Sequence, residues 1–272
     1  MDCSSKELYW YQICKNDMTY ILGAKCSDGV VLVGDTKLTI DEGADFEYSK
    51  KITFPLTNLA MGAAGSGGLY KDFQNRIVTA VIRMQKEKKG VVNTEEEFST
   101  LVSKVIREMH NDYGQDRYMI INNLMILCAT RIGGPLADLN QFTGFGYPLP
   151  VNDIRAIGHG EPYGAIFHKR LWGKHMTMEQ TAKLGLFVIR YIDEMKLDTS
   201  VGYNKEFLPQ VVYIPHIIEP PNFKPTPENI AEHKKKFPIK ELSLEEVTKL
   251  MEETRSNLSV VESWFKEGKI KL

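Results

Sequence analysis

The sequence has few of the residues that build disulfide scaffolds or zinc sites. Its 272 residues include only four cysteines and six histidines. The cysteines are too far apart for any Cys-x-x-Cys pair and lie at Cys3, Cys14, Cys26 and Cys128. This spacing argues against a disulfide framework or a zinc ribbon and is typical of a reducing compartment. Since His168 and His175 lack carboxylates at ligand spacing, we expect no metal site.

The sequence also lacks an excess of either charge and any long apolar run. Lys and Arg number 34 against 35 Asp and Glu, for a formal net charge of −1. This balance gives no electrostatic reason to expect binding to nucleic acid or to a membrane surface. The uncharged stretch 52–70 is broken by Pro55 and four glycines, and the apolar stretch 119–130 is too short to span a bilayer. We therefore expect a cytoplasmic protein without a targeting segment.

Several familiar catalytic motifs are missing. There is no Gly-x-Ser-x-Gly elbow, no His-Glu-x-x-His motif and no Walker loop. The glycine-rich stretch 65–68 stands between a predicted strand and a predicted helix, where an anion can bind. No Lys-Ser/Thr pair follows it, however, so we interpret the glycines as allowing close packing of strand and helix. We expect no cofactor.

Apolar patterning does predict a succession of strands and helices. Short apolar runs predict strands at 19–25, 30–35, from 51, 58–65, 124–129, 141–144, 155–158 and 210–214. Helical spacing predicts a first helix with the buried stripe Leu69, Phe73, Ile77, Val81 and Met84. A second helix opens at Thr94 with Glu97 as a capping box, and a third covers 178–195. Because strands and helices come in blocks, the order favours an α+β layered fold over an alternating Rossmann pattern.

The two ends of the chain differ from this middle part. Residues 1–18 contain a short apolar cluster between Leu8 and Cys14 but show no long period, and we interpret them as a leader. Five prolines lie between positions 215 and 227, and beyond them lies a charge-rich helical tail with a capping box at Ser243 and Glu246. We therefore predict a leader at 1–18, one domain at 19–214, and a linker with a helical tail at 215–272.

The run from residue 19 to residue 35, TYILGAKCSDGVVLVGD, resembles the start of a proteasome-type subunit, a member of the N-terminal-nucleophile hydrolases. The family pattern is a nucleophilic Thr, a strand, an Asp-Gly turn and an Asp that ends the next strand. Here Asp35 comes 16 residues after Thr19. Lys51 follows Thr19 by 32 residues and Gly65 by 46, which are the family's spacings for its lysine and its oxyanion-hole glycine. Asp198 and Gly202 match the loop that supports the nucleophile.

The resemblance implies a four-layer αββα sandwich with a helical C-terminal extension. It implies a threonine-dependent amidohydrolase that acts on a peptide or protein substrate through an acyl-enzyme. Water as the second reactant makes such an enzyme a peptidase and an amine makes it a peptide ligase, and the sequence leaves both open. The family also implies assembly into a homo-oligomeric or hetero-oligomeric ring.

The residues themselves show how this chemistry works. A threonine hydroxyl is a weak nucleophile and needs a base, which a free α-amino group with a pKa of roughly 8 provides. Lys51, if charged and close, lowers the pKa of that amine, and Asp35 orients the lysine. The resemblance further implies that the N–H of Gly65 donates to the oxyanion and that Asp198 holds the Thr19 end of the strand by hydrogen bonds.

Three positions depart from the family pattern. His159 and Val201 stand where the family has Ser, and Met18 stands where the family has Gly before the nucleophile. Two alternatives follow for the first 18 residues. In one, synthesis begins at Met18, whose removal exposes the Thr19 amine. In the other, residues 1–18 stay attached and the chain is a non-catalytic, ring-forming structural subunit of a proteasome-like complex.

Overall fold

A computed structural model of the chain describes residues 19–40, 45–86, 94–113, 121, 124–132, 134–217 and 237–266. The predicted leader at 1–18 and most of the proline-rich linker lie outside the described residues. Within those ranges the chain forms an α+β fold with two five-stranded sheets and a separate pair of strands. No helix in the described ranges has the length and apolarity needed to cross a bilayer.

All strand pairs in both large sheets are antiparallel. The first sheet contains, in spatial order, β10 (Ile154–Ile157), β1 (Ile21–Cys26), β2 (Gly29–Gly34), β11 (Gln210–Pro215) and β12 (Lys240–Glu241). The second sheet contains β5 (Ile52–Leu56), β6 (Leu59–Ala64), β7 (Met125–Thr130), β8 (Asp138–Thr143) and β9 (Pro148–Pro150). The separate pair consists of β3 (Lys37–Ile40) and β4 (Asp45–Tyr48).

Five helices accompany these strands in the described ranges. They are α1 (Gly67–Lys86), α2 (Glu95–Tyr113), α3 (Glu161–Leu171), α4 (Met178–Glu194) and α5 (Leu244–Lys266). The predicted capping box of the second helix is present, because the Glu97 N–H donates to Thr94 Oγ1 and the Thr94 N–H donates to the Glu97 carboxylate. The box at Ser243 and Glu246 has the same two bonds and begins α5.

Alternating side chains of the central strands belong to different apolar clusters. In β2, Val31 and Val33 belong to a cluster with α4 and α5, whereas Val30 and Leu32 belong to one shared with the second sheet. A third cluster joins the second sheet to α1 and α2. Successive side chains of a strand point to opposite faces, so a strand buried on both faces is apolar at every position. This explains why β2 has no polar residue.

The secondary-structure predictions agree with the observed elements to within a few residues at the ends. Apolar spacing missed β3, β4, β9 and β12 as well as α3. Helix α3 buries only Gly164, Phe167 and His168, too few apolar side chains for a helical stripe. It follows the Gly-His-Gly turn at 158–160.

The described part of the C-terminal segment packs directly on the rest of the chain. Strand β12 pairs with β11 and extends the first sheet, with Val212 opposite Glu241. Val247, Leu250 and Met251 of α5 are buried in the cluster that contains α4. The tail therefore completes one sheet edge and covers part of the core. The domain boundaries at 18 and 214 stay predictions.

Candidate active site

The carboxylate of Asp35 lies at the centre of the candidate site. It directly follows β2 and is completely buried. The Thr19 hydroxyl donates to Asp35 Oδ1 at 2.9 Å, and the Tyr20 N–H donates to the same oxygen at 2.8 Å. Because β1 pairs with β2, with Ile21 opposite Gly34, the start of one strand meets the end of the other. Strand pairing alone therefore brings Thr19 to Asp35.

Lys51 completes this arrangement from the second sheet. It comes just before β5, and its Nζ donates to Asp35 Oδ1 at 2.8 Å and to Oδ2 at 2.9 Å. Only 7% of Lys51 is exposed. Burial lowers the pKa of the Lys51 ammonium, and attraction to Asp35 partly opposes this change. The ion pair is thus held in a site from which water is largely excluded.

Two glycines of the 158–160 turn pack against Thr19. Gly158 has a φ of +95°, and a Cβ there would lie 2.2 Å from the Thr19 carbonyl oxygen. The Gly160 N–H donates to that same carbonyl oxygen at 3.2 Å. Only glycine permits this conformation and this close approach at position 158. The turn therefore fixes the backbone of Thr19.

Gly65 lies at the same end of the second sheet as Lys51. In the β5–β6 pair Ile52 is opposite Gly62, so the residues that follow β6 come alongside the residues that precede β5. Gly65 has a φ of +123°, which a side chain disfavours, and it stands just before α1. The positive φ explains why position 65 is a glycine. That the N–H of Gly65 donates to an oxyanion stays a prediction.

The loop from Asp198 to Gly202 reaches Asp35 through a backbone group. The Gly202 N–H donates to Asp35 Oδ2 at 3.3 Å. Asp198 Oδ1 instead accepts bonds from Ser200, from its N–H at 2.9 Å and from its hydroxyl. No hydrogen bond joins Asp198 to Thr19 among the described residues, so its predicted support of the nucleophile stays a prediction.

The two residues that replace Ser of the family pattern inside the domain occupy different environments. His159 is exposed on the turn beside Thr19, whereas Val201 is buried in the core cluster with α4. The buried Ser200 puts a hydroxyl one position before Val201. Its bond with Asp198, two residues earlier, is a local turn interaction that an Asp-x-Ser pattern can signal.

Sequence reasoning missed two further polar groups near the site. Tyr20 Oη and His168 Nε2 share a hydrogen bond of 2.6 Å in the core. Burial lowers the pKa of His168 to about 4 and raises the pKa of Tyr20. Gln210 is the other group, and its carboxamide bonds the backbone of Lys51 and Ile52. No local pattern signals either contact, because the partners lie more than a hundred residues apart.

The geometry combines a hydroxyl, a buried carboxylate and a buried ammonium in one hydrogen-bonded group. Asp35 accepts five bonds, two from Lys51 and one each from Thr19, Tyr20 and Gly202. Both oxygens of this buried carboxylate are therefore hydrogen-bonded. Across the described ranges, no group of three or more His, Cys, Asp and Glu side chains is placed to bind a metal.

Comparison with known proteins gives the family context. The sequence model of the family described as "Proteasome subunit" matches residues 17–204, more than half of the chain. A curated relative, proteasome subunit beta 1 of Pyrococcus furiosus, is 27% identical over 180 residues, which is 65% of this chain and 84% of the relative.

Solved structures show the same fold at lower identity. Anbu from Yersinia bercovieri, described as an ancestral beta-subunit, has a TM-score of 0.63 at 16% identity, over 90% of this chain and 97% of that one. A mutant of Anbu from Hyphomicrobium sp. strain MC1 has a TM-score of 0.62 at 17% identity, over 93% of this chain and 98% of that one. The similarity in fold covers nearly the whole chain.

Proposed function

Since the chain belongs to the proteasome subunit family, we propose that it is a threonine-dependent amidohydrolase whose nucleophile is the hydroxyl of Thr19. The observation that carries this proposal is the shared carboxylate of Asp35, which bonds Thr19 and Lys51 at once. We further propose that the two sheets and their helices form the four-layer αββα sandwich of N-terminal-nucleophile hydrolases. The three apolar clusters support that arrangement.

The first chemical step requires a free α-amine on Thr19. That amine removes the proton from Oγ1, and Oγ1 attacks the carbonyl carbon of the substrate peptide bond. The C–N bond then breaks, and the leaving amine takes up the proton. The product is an ester between Thr19 and the acyl part of the substrate.

The second step resolves that ester. Attack by water releases a carboxylic acid, and attack by the amine of another peptide forms a new peptide bond. In both cases Oγ1 regains its proton and the free enzyme is restored. The proposal therefore includes peptidase and peptide ligase activities, which differ only in the second reactant.

The charges of the site support this use of Thr19. The Lys51 ammonium favours the neutral, proton-accepting form of a nearby amine, because a like charge disfavours protonation. Asp35 holds Lys51 in place and offsets its charge. We assign to the N–H of Gly65 the role of hydrogen-bond donor to the oxyanion. One such donor typically contributes about 3–4 kcal/mol to transition-state stabilisation. Asp198 supports the loop that carries Gly202.

A second candidate function is a non-catalytic, ring-forming structural subunit of a proteasome-like complex. It is favoured by His159 and Val201, which replace two hydroxyl-bearing residues of the family pattern. Ring formation and a cytoplasmic location belong to both candidates, whereas a peptide or protein substrate belongs to the amidohydrolase alone. They differ in whether Thr19 carries a free amine.

Mass spectrometry of the protein from its own cells tests the proposal. We expect a chain whose mass matches residues 19–272 and which turns over members of a peptide library. Met18 makes self-cleavage unfavourable, because its side chain crowds the tight turn needed to bring a carbonyl to the hydroxyl. We therefore expect synthesis from Met18 followed by removal of that residue. Native material that retains residues 1–18 and is inert would favour the structural subunit.

A further inference from the structure

The carboxamide of Gln210 uses all four of its ordinary hydrogen-bonding positions. Its Oε1 accepts from the N–H of Lys51 at 2.6 Å and from the N–H of Ile52 at 2.8 Å. Its Nε2 donates to the Ile52 carbonyl at 3.1 Å and to Glu241 Oε1 at 3.1 Å. Gln210 is also buried. A buried carboxamide with every partner satisfied holds a single orientation.

These bonds cross from one sheet to the other at the candidate site. Gln210 is the first residue of β11 in the first sheet, whereas Ile52 begins strand β5 of the second sheet and Lys51 directly precedes it. In the β11–β2 pair Gln210 stands opposite Gly34, the residue just before Asp35. The backbone of Gln210 therefore lies beside the end of β2, which Asp35 follows. The side chain of Gln210 is hydrogen-bonded to the backbone of Lys51 and Ile52.

The C-terminal segment supports Gln210 from the other side. Glu241 lies in β12, which pairs with β11. Its carboxylate accepts from Gln210 and also pairs with Lys50 Nζ at 2.9 and 3.0 Å. A chain of contacts thus runs from the tail through Glu241 and Gln210 to the backbone of Lys51.

We propose that Gln210 is a positioning residue for Lys51 and that Glu241 of the C-terminal segment holds it in its working orientation. The inference rests on the proposed function only for the role given to Lys51. Gln210 fixes the backbone at the N–H groups of Lys51 and Ile52. The position of the Lys51 Nζ beside Asp35 therefore depends on this backbone as well as on the attraction between the two charges. The tail is in this way part of the support of the site.

The test measures how readily the Lys51 amine of the full chain is acetylated by acetic anhydride across a range of pH. Mass spectrometry separates Lys51 from Lys50, and the exposed Lys71 serves as the internal reference. The midpoint of the pH dependence gives the pKa of Lys51. Burial is the main cause of the lowered pKa of Lys51. A variant in which the Lys51 amine becomes exposed to solvent therefore has a midpoint closer to the ordinary pKa of a lysine.

Four variants distinguish positioning from general stability. Gln210→Leu removes every bond of the carboxamide at similar volume. Glu241→Leu removes the acceptor for Gln210, whereas Glu241→Gln removes the same charge and keeps an acceptor. Glu246→Gln makes the same change of charge in the tail, at a residue bonded to Lys240 and Ser243, and keeps a side chain able to cap α5.

We expect Gln210→Leu and Glu241→Leu to raise the Lys51 midpoint toward that of the exposed Lys71. Glu241→Gln and Glu246→Gln should leave it at the parent value. An unchanged midpoint in Gln210→Leu overturns the proposal. If that variant does not fold, equal midpoints in Glu241→Leu and Glu241→Gln overturn it. The readout needs no turnover, so it stands apart from the test of Thr19 as nucleophile.

Discussion

The hydroxyl of Thr19 and the ammonium of Lys51 donate to the same oxygen, Oδ1 of Asp35, at 2.9 and 2.8 Å. Thr19 precedes β1 of the first sheet and Lys51 precedes β5 of the second, so one buried carboxylate links the segments that lead into the two sheets. This sharing places a hydroxyl and a positive charge side by side without direct pairing. On the proposed function, we expect changes at any of the three residues to affect both activity and stability, in ways that measurement can separate.

Replacement of Thr19 tests the nucleophile. In a chain that begins at residue 19, we expect Thr19→Ala to abolish amide-bond chemistry, because no hydroxyl remains to form the ester. Thr19→Ser keeps the hydroxyl and should keep measurable turnover. Both variants and the parent would be assayed on one peptide library, with circular dichroism as the check on folding. Equal turnover by parent and Thr19→Ala would remove Thr19 from the mechanism.

Replacement of Lys51 tests the role of its charge. From the sequence alone, Lys51→Met keeps an apolar stem and predicts little loss of stability. The structure changes that expectation, because the variant leaves Asp35 buried without its cation. We now expect a loss of about 3–5 kcal/mol in the free energy of unfolding, together with a loss of activity by orders of magnitude.

A double variant separates these two effects. Asp35→Asn combined with Lys51→Met removes both charges and should recover part of the stability, measured by urea unfolding, but no activity. Lys71→Met changes an exposed lysine of α1 and should alter neither quantity. Recovery of activity in the double variant would show that the charges of the pair serve only the fold.

Gly158 tests whether the turn fixes Thr19. Gly158→Ala places a methyl group against the Thr19 carbonyl and forces a residue with a side chain to a φ of +95°. Strain alone should cost about 1–3 kcal/mol, and displacement of Thr19 should lower kcat. Gly67→Ala is the matched control, since nothing lies within 4 Å of its added Cβ and it stands in α1. A Gly158→Ala variant as stable and active as Gly67→Ala would contradict the packing described here.

His168 predicts a dependence of stability on pH. Burial lowers its pKa to about 4, whereas the unfolded chain has an ordinary value of about 6.5. Between these values the unfolded state binds more protons, so stability is fully present above pH 6.5 and is lost as the pH falls toward 4. The shift corresponds to a loss of up to about 3 kcal/mol.

Urea unfolding of the full chain between pH 4 and pH 7 measures that loss. His168→Gln keeps a side chain that can bond Tyr20 but does not titrate, so its stability should vary less over this range. Identical pH dependence in parent and variant would mean that His168 contributes nothing to it.

The sequence by itself determined most elements and three members of the site. Strand alternation, helical stripes and the two capping boxes depend on residues that are neighbours along the chain, so they are visible without a fold. The intervals from Thr19 to Asp35, Lys51 and Gly65 matched a family pattern, and the structure brings the first three into one bonded group. Their catalytic roles remain predictions.

Only the tertiary structure decided how the site is supported. It joins Tyr20 to His168 across 148 positions and Gln210 to Lys51 across 159, and it turns Asp198 toward Ser200. It also brings Glu241 of the tail to Gln210. A polar side chain carries no local sign of a partner so far along the chain, because the distance between them is set by the packing of two sheets. Composition and spacing identify the groups able to react, and packing selects the neighbours that orient them.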